Sequence, residues 1–200
     1  MLVKRFLYKQ LYPNTKESFS EALKKGCLDI GSRIHVFHSA MATFHAPSDI
    51  SGVYSMQCKH IQVTSSWQNG PAPYDCIYIN LDPEIEGIQG FEIACIFLFF
   101  SFEHQEKVYP CALIQWYSYV SSEPDEDTGL WKTEPNVDTN SGPCLAAIHV
   151  DVIFHAVHLL PAFCTAEFIS RAITMHTLLD TFKVFYVNKF TDHHLFANLT

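Results

Sequence analysis

The sequence predicts an α+β fold, mainly β, in which a small β-barrel carries a C-terminal amphipathic helix packed on it. Sixteen Phe, nine Tyr and three Trp residues favour strands, because aromatic side chains pack well on a pleated surface. Short apolar runs recur at a spacing of about ten residues with turn residues between them, which is typical of a compact barrel. Near the C-terminus the apolar spacing changes to that of a helix.

The composition indicates a folded intracellular protein. Hydrophobic residues make up 48% of the 200-residue chain, enough to bury a core. The longest apolar run, Ile93–Phe100, is shorter than the roughly 20 residues that cross a bilayer as a helix. Seven cysteines, an odd number without a Cys-x-x-Cys pair, are typical of a reducing compartment. Glycine-rich phosphate loops and a nucleophile elbow are absent from the sequence, so no cofactor is expected.

Three regions are predicted along the chain. Residues 1–30 are interpreted as a basic arm with a short helix around Ser18–Lys25, since Ser18 and Glu21 have capping-box spacing. Residues 31–161 are assigned to the barrel-like domain and residues 162–200 to a C-terminal helical segment. The six basic residues of the arm are candidate nucleic-acid contacts: Lys4, Arg5, Lys9, Lys16, Lys24 and Lys25. Ordinary solvation is the alternative, because the net charge of −8 repels phosphate.

The barrel domain is predicted to centre on a β-hairpin of Phe91–Phe102 and Tyr109–Tyr119. The continuous apolar character of Ile93–Phe100 predicts burial on both faces of that strand. Asp151 is expected to cap a short helical turn over Val152–Val157 that returns as an extended segment ended by Pro161. Other strands are predicted around Ile34–Phe44 and at His60–Val63, Cys76–Asn80, Leu130–Thr133 and Leu145–Val150. This order of parts is similar to Tudor-like and BAH-like (bromo-adjacent-homology) barrels in architecture alone.

The C-terminal segment is predicted to be an amphipathic helix whose apolar stripe docks on the barrel. Its apolar residues recur at helical spacing, and Phe185 is expected to be buried, as is Leu113 of the hairpin. The residues of the stripe are Leu178, Leu179, Phe182, Phe185, Tyr186 and Phe190.

No metal site is predicted, although eleven histidines raise the question. His35 and His38 are three residues apart on a predicted strand and point to opposite faces. His155 and His158 share a face if Val152–Val157 is helical, but no carboxylate or thiol completes a site. The acidic residues of Ser121–Asp127 lack the spacing of a calcium loop and are interpreted as solvated. A candidate partner surface comprises Trp116, Trp131, Asp125 and Asp127, with core or hairpin packing as the alternative for the tryptophans.

Several segments together carry a family resemblance. They are Tyr109–Trp116, Glu123–Trp131, His149–Asp151, His158–Pro161 and Phe185–His194, preceded by Phe44–Gly52 and Tyr74–Tyr78. In this order they resemble the C-terminal region of fungal DNA transposases of the Plavaka group, in the Kyakuja–Dileera–Zisupton superfamily. Departures occur at Lys132-Thr133, where two apolar residues are expected, and at Ala162-Phe163-Cys164, which replaces a Tyr-Gly-like turn.

The resemblance implies a nuclear, non-catalytic role. The RNase-H-like catalytic domain of such transposases lies upstream of the matched part, so no catalytic residue carries over. The chain is therefore expected to be a fragment or remnant of a transposase that binds protein, DNA or chromatin, and not a membrane. A stand-alone metal-dependent enzyme using histidine or acidic-loop ligands and a functionless pseudogene product are the alternatives.

Overall fold

The fold is α+β and mainly β, with strands distributed along most of the described chain. The computed structural model describes residues 1–13, 19–24, 28, 30, 33–46, 54–63, 74–80, 84–85, 87–139, 141–163 and 178–190. The helices are α1 Leu2–Leu11, α2 Phe19–Lys24 and α3 Leu178–Thr181. The strands are β1 Ile34–Phe37, β2 Ser39–His45, β3 Met56–Gln62, β4 Cys76–Asn80, β5 Phe91–His104, β6 Lys107–Tyr119, β7 Trp131–Pro135, β8 Leu145–His149, β9 Ile153–Pro161 and β10 Phe185–Asn188.

Antiparallel pairings link six strands in a closed circuit. Following the hydrogen-bonded neighbours, β5 pairs with β4, β4 with β9, β9 with β10, β10 with β7, β7 with β6, and β6 with β5 again. β1 adds to β5 and β8 adds to β6 beyond the circuit, while β2 and β3 form a separate two-stranded sheet.

The predicted central hairpin is confirmed and is longer than expected. β5 and β6 pair from Ile93 with Tyr117 to His104 with Lys107. Gln105 and Glu106 alone make the turn, at φ 51° and 63°. Two consecutive residues of positive φ are the geometry of a type I′ turn, whose twist matches that of the flanking strands.

A β-bulge at Phe97 keeps one face of this hairpin buried along its whole length. Ile96 lies opposite Ile114, but Leu98 lies opposite Leu113, so Phe97 is an extra residue on β5. The bulge reverses the alternation of β5 side chains relative to those of β6. The hairpin face that turns toward the circuit near Phe91 therefore continues toward the N-terminal helices near Phe102.

The described residues form three core clusters, which we name inner, outer and distal. The inner cluster joins alternate residues of the circuit: Cys76, Tyr78, Ile88, Phe91, Ile93, Cys95, Tyr117, Val157, Leu159, Phe185 and Val187. The outer cluster lies on the opposite face of β4, β5 and β6, where Ile61 of β3 and the adjacent Val63 pack against these strands. Its residues are Ile61, Val63, Ile77, Ile79, Ala94, Ile96, Phe99, Ala112 and Ile114. The distal cluster packs the N-terminal helices on the hairpin: Phe6, Leu7, Ala22, Leu28, Phe100, Phe102, Tyr109 and Cys111.

The N-terminal region is therefore more structured than the predicted arm. The helix expected around Ser18–Lys25 is confirmed as α2, but α1 was not predicted. Phe6 and Leu7 of α1 are buried against the hairpin, and the ring of Phe6 meets that of Phe102 edge to face at 6.3 Å. The helix α1 was not predicted because its apolar residues lie among basic residues, which had favoured a solvated arm.

Two predicted helices are wrong. The turn at Asp151 is a single 3₁₀ turn, Val150–Val152, and β9 begins at Ile153, so Val152–Val157 is not helical. Within the described residues 178–190 of the predicted C-terminal helix, only Leu178–Thr181 is helical, and Phe185–Asn188 is the strand β10 between β9 and β7. Residues 164–177 and 191–200 of the predicted helical segment lie outside the described residues. Phe185 and Val187 are buried while Tyr186 and Asn188 are half-buried, which is the two-residue alternation of a strand.

Among the residues that the structure describes, no helix is long and apolar enough to cross a membrane.

Candidate functional site

The strand β1 is the most exposed apolar element of the described chain. Every residue from Arg33 to Ser39 is exposed, and Ile34, Val36 and Phe37 keep 52%, 51% and 49% of their accessible surface. One edge of β1 pairs with β5, and no described strand pairs with the other. An edge strand of this kind presents unpaired N–H and C=O groups to solvent, together with apolar side chains on both faces.

The segment Arg33–Ala46, which contains β1, differs in charge from the chain as a whole. No carboxylate occurs between Arg33 and Ala46, whereas the whole chain has a net charge of −8. Arg33, His35 and His38 are basic and exposed in this stretch. Proline and inward-pointing lysine, two residues that commonly protect an edge strand against pairing, are absent from β1.

The two tryptophans of the predicted partner surface do not share one surface. Trp116 packs against the outer cluster, and its backbone N–H donates to the Cys144 carbonyl at 3.1 Å. Trp131 packs against the inner cluster, and its ring lies 5.4 Å from that of Tyr119 in an edge-to-face contact. Both are half-buried, so the packing alternative describes them better than a shared surface.

Asp125 organises the acidic loop and is not merely solvated, which corrects the interpretation of that segment. Its Oδ1 accepts hydrogen bonds from the Thr128 backbone N–H at 3.1 Å and the Thr128 hydroxyl at 2.9 Å. Its Oδ2 pairs with the Lys132 ammonium. These contacts, the lysine first, hold the pKa of the Asp125 carboxyl below its usual range. Asp127, by contrast, is exposed.

Only part of the basic set can be placed in the structure. Lys4, Arg5 and Lys9 lie on α1, where Arg5 and Lys9 are exposed and Lys4 is half-buried. The Arg5 guanidinium lies 5.8 Å from the centroid of the Phe19 ring, a cation–π contact with α2. Lys24 ends α2, while Lys16 and Lys25 lie outside the described residues. The described residues of the basic set are therefore divided between two short helices.

The histidines do not gather into a metal site in the described part of the chain. No three residues among the described His, Cys, Asp and Glu lie close enough together to hold an ion. His155 is fully buried and His158 is exposed, because both lie on the strand β9 and not on one helix face. His149 instead contacts its neighbour Asp151, with 3.2 Å between Nδ1 and Oδ2.

Two titratable groups that the sequence analysis missed join separate parts of the fold. Asp75 Oδ2 accepts a hydrogen bond of 2.7 Å from the Gln62 N–H, which links β3 to the start of β4. Burial raises the pKa of the Asp75 carboxyl against the opposing effect of that bond. The Tyr119 hydroxyl donates toward the Phe91 and Ile88 carbonyls at 3.1 and 3.3 Å, and burial raises the pKa of this phenol. Both groups therefore have hydrogen-bond partners that belong to other parts of the fold.

Comparisons of the chain with protein-family models, with curated proteins and with solved structures gave no match.

Proposed function

We propose that this chain is a non-catalytic, protein-binding module derived from the C-terminal region of a fungal Plavaka-type transposase. The segments between Tyr109 and His194 that resemble those transposases support the derivation. The exposed, apolar edge of β1 that no described strand pairs with is the observation that supports binding. In a transposase context its place would be the nucleus, beside the other proteins of strand transfer.

The closed circuit of pairings supports a second, architectural part of this proposal, a small barrel of the Tudor-like or BAH-like kind. Six strands joined edge to edge around the inner cluster leave no free edge within the circuit. An experimental structure in which β9 and β10 fail to pair would contradict it, because the circuit is then open.

Charge favours a protein partner over DNA. Duplex binding is carried by several lysine or arginine contacts to phosphate, each of which releases counterions. The described chain offers Lys4, Arg5 and Lys9 on α1, and Arg5 already contacts Phe19. Twelve carboxylates between residues 82 and 138 face only Lys107 and Lys132 in the same stretch, so the body repels a polyanion.

The partner that fits β1 is an extended peptide segment carrying both apolar and acidic residues. An added strand satisfies the free backbone groups of the edge and places its side chains opposite those of β1. Apolar partners would cover Ile34, Val36 and Phe37, and acidic partners would face Arg33, which directly precedes β1, a strand that carries no carboxylate of its own. Complementary charge at such an edge fixes register and excludes basic segments.

Fluorescence anisotropy with labelled peptides tests the proposal. We expect an extended peptide of alternating valine and glutamate to bind the intact chain, and the matching valine–lysine peptide not to bind. Val36→Asp should weaken binding at least tenfold, because it places a carboxylate on the edge. Val137→Asp is the matched control, since Val137 is also exposed, at 66%, but lies away from β1.

Equal binding of the two peptides, or unchanged binding by Val36→Asp, would contradict the assignment of β1 as the peptide-binding edge. A mobility-shift assay with labelled duplex DNA at low and high salt tests whether the partner is DNA and not protein. A shift at low salt that disappears steeply with added salt would favour DNA over protein.

A further inference from the structure

Cys76 and Cys95 lie directly opposite each other on the neighbouring strands β4 and β5. The adjacent pair is Asp75 and Ile96, and there the Ile96 N–H donates to the Asp75 carbonyl at 3.0 Å. Because hydrogen-bonded and non-hydrogen-bonded pairs alternate along an antiparallel ladder, the two cysteines form a non-hydrogen-bonded pair. The Cα atoms of such pairs are about 4.5 Å apart. This separation falls within the range that a disulfide bridges without backbone movement.

The two side chains already contact each other as thiols inside the inner cluster. Both are buried, and neither is in a disulfide. The hydrogen bond to Cys95 and burial hold the pKa of the Cys76 thiol well above its usual range. Since the thiolate is the reactive form, the raised pKa slows the reaction of these thiols, and their burial admits only a small oxidant.

The other cysteines on described strands lack this arrangement. Cys58 is exposed on β3 and lies opposite Thr43. Cys111 is buried on β6 and lies opposite Phe100, and burial raises the pKa of its thiol to about 12. Among the described strands, Cys76 and Cys95 are the only two cysteines that face each other, and the remaining two on strands serve as natural controls.

We propose that Cys76 and Cys95 are an oxidation site that hydrogen peroxide converts to a cross-strand disulfide. The sulfur of one cysteine attacks the peroxide, its S–O bond forms as the O–O bond breaks, and the thiol proton leaves with the departing oxygen as water. The second sulfur then attacks the sulfenic acid. The S–S bond forms, the S–O bond breaks, and a second water carries away the remaining thiol proton. Each sulfur loses one electron, and the peroxide gains two.

The disulfide would join β4 to β5 covalently within the circuit of strands. It would also close the chain segment between the two cysteines, which includes the 3₁₀ turn Ile88–Gly90 that leads into β5. A crosslink of this kind stabilises chiefly by restricting the unfolded chain. The oxidised protein should therefore be more resistant to heat than the reduced one.

Treatment of the intact chain with hydrogen peroxide, followed by unfolding in denaturant, alkylation and peptide mapping without reduction, tests the proposal. We expect a linked Cys76–Cys95 peptide in the wild type and a rise in Tm of about 5 °C or more, reversed by dithiothreitol. Cys58→Ser and Cys111→Ser should retain both effects, and Cys95→Ser should lose both.

The mapping of the wild-type protein decides the question even if a cysteine variant fails to fold. Alkylation of both Cys76 and Cys95 after peroxide has already oxidised the exposed Cys58 would overturn the proposal. A disulfide that links either cysteine to a different partner would overturn it as well. Neither outcome bears on peptide binding at β1, so the two proposals fail separately.

Discussion

The neighbouring strands β1 and β5 have similar apolar sequences and opposite burial. Phe99, Phe100 and Phe102 of β5 are nearly inaccessible, whereas their register partners on β1, including Ile34 and Val36, remain about half exposed. The strand β5 has a paired strand on each side and a cluster on each face, while β5 is the only described strand that pairs with β1. Burial here depends on position in the sheet and not on residue type.

Because of this difference in burial, we expect β5 to contribute to the stability of the fold and β1 to contribute to partner binding. A side chain that is already buried contributes to folding, because the folded state removes it from water. An exposed apolar side chain on an edge contributes that free energy only when a partner covers it. The inner cluster should therefore respond strongly to truncation, and β1 should respond in a binding assay.

The largest effect is expected for Phe185→Ala in the inner cluster. Phe185 is fully buried on β10, and its ring contacts that of Tyr117 at 6.2 Å. Removing a buried phenylalanine costs about 3–5 kcal/mol of unfolding free energy, from lost transfer energy and the cavity left behind. Urea denaturation measures it. Leu113→Ala, at a half-buried position, should cost less, and an equal loss at the two positions would contradict the described burial.

An intermediate effect on the unfolding free energy is expected when two valines of different exposure are each replaced by alanine. Val157 is 7% exposed in the inner cluster, and Val36 is 51% exposed on β1. Val157→Ala should cost about 2 kcal/mol of unfolding free energy, because two buried methyl groups are removed. Val36→Ala should change it by no more than about 0.5 kcal/mol. If Val36→Ala destabilised the isolated chain as much as Val157→Ala, β1 would be a covered strand and not a free edge.

The smallest effect is expected in the acidic loop, where Asp125 and Asp127 differ. Asp125→Ala should lower Tm at neutral pH because Lys132 and Thr128 lose their acceptor, and Asp127→Ala should leave Tm unchanged. The pKa of the Asp125 carboxyl is lower in the folded state, so its contribution is present above the unfolded value, near 4, and is lost as the pH falls through the folded value. The difference in Tm between wild type and Asp125→Ala should therefore shrink in acid. A difference that is constant with pH would exclude the charge of Asp125 as its cause.

The candidate binding edge was only partly visible in the sequence. A strand was predicted around Ile34–Phe44, but the structure divides it at His38 into β1 and β2, which belong to different sheets. The two tryptophans of the predicted partner surface, Trp116 and Trp131, pack in different clusters, because alternate residues of strands point to opposite faces. Whether an apolar strand has a second neighbour is decided by pairing far along the chain.

Local signals determined the central part of the fold. The strand Cys76–Asn80 and the β5–β6 hairpin follow from continuous apolar runs of strand length and the polar turn between them, and both are present in the structure. Short-range chemistry suffices there, since a hairpin joins residues close in sequence.

Tertiary structure decided the rest. The apolar residues near the C-terminus fit a helix by spacing, but Phe185 and Val187 also fit a strand, and the gap between β9 and β7 selects the strand. The apolar stripe of α1 lies among basic residues, so its burial could not be predicted from the sequence. The structure shows that this stripe packs against Phe100 and Phe102. The sequence alone determined a mainly β chain with one strong hairpin. Which apolar segments are buried was decided by long-range pairing, because burial depends on neighbours that local spacing does not specify.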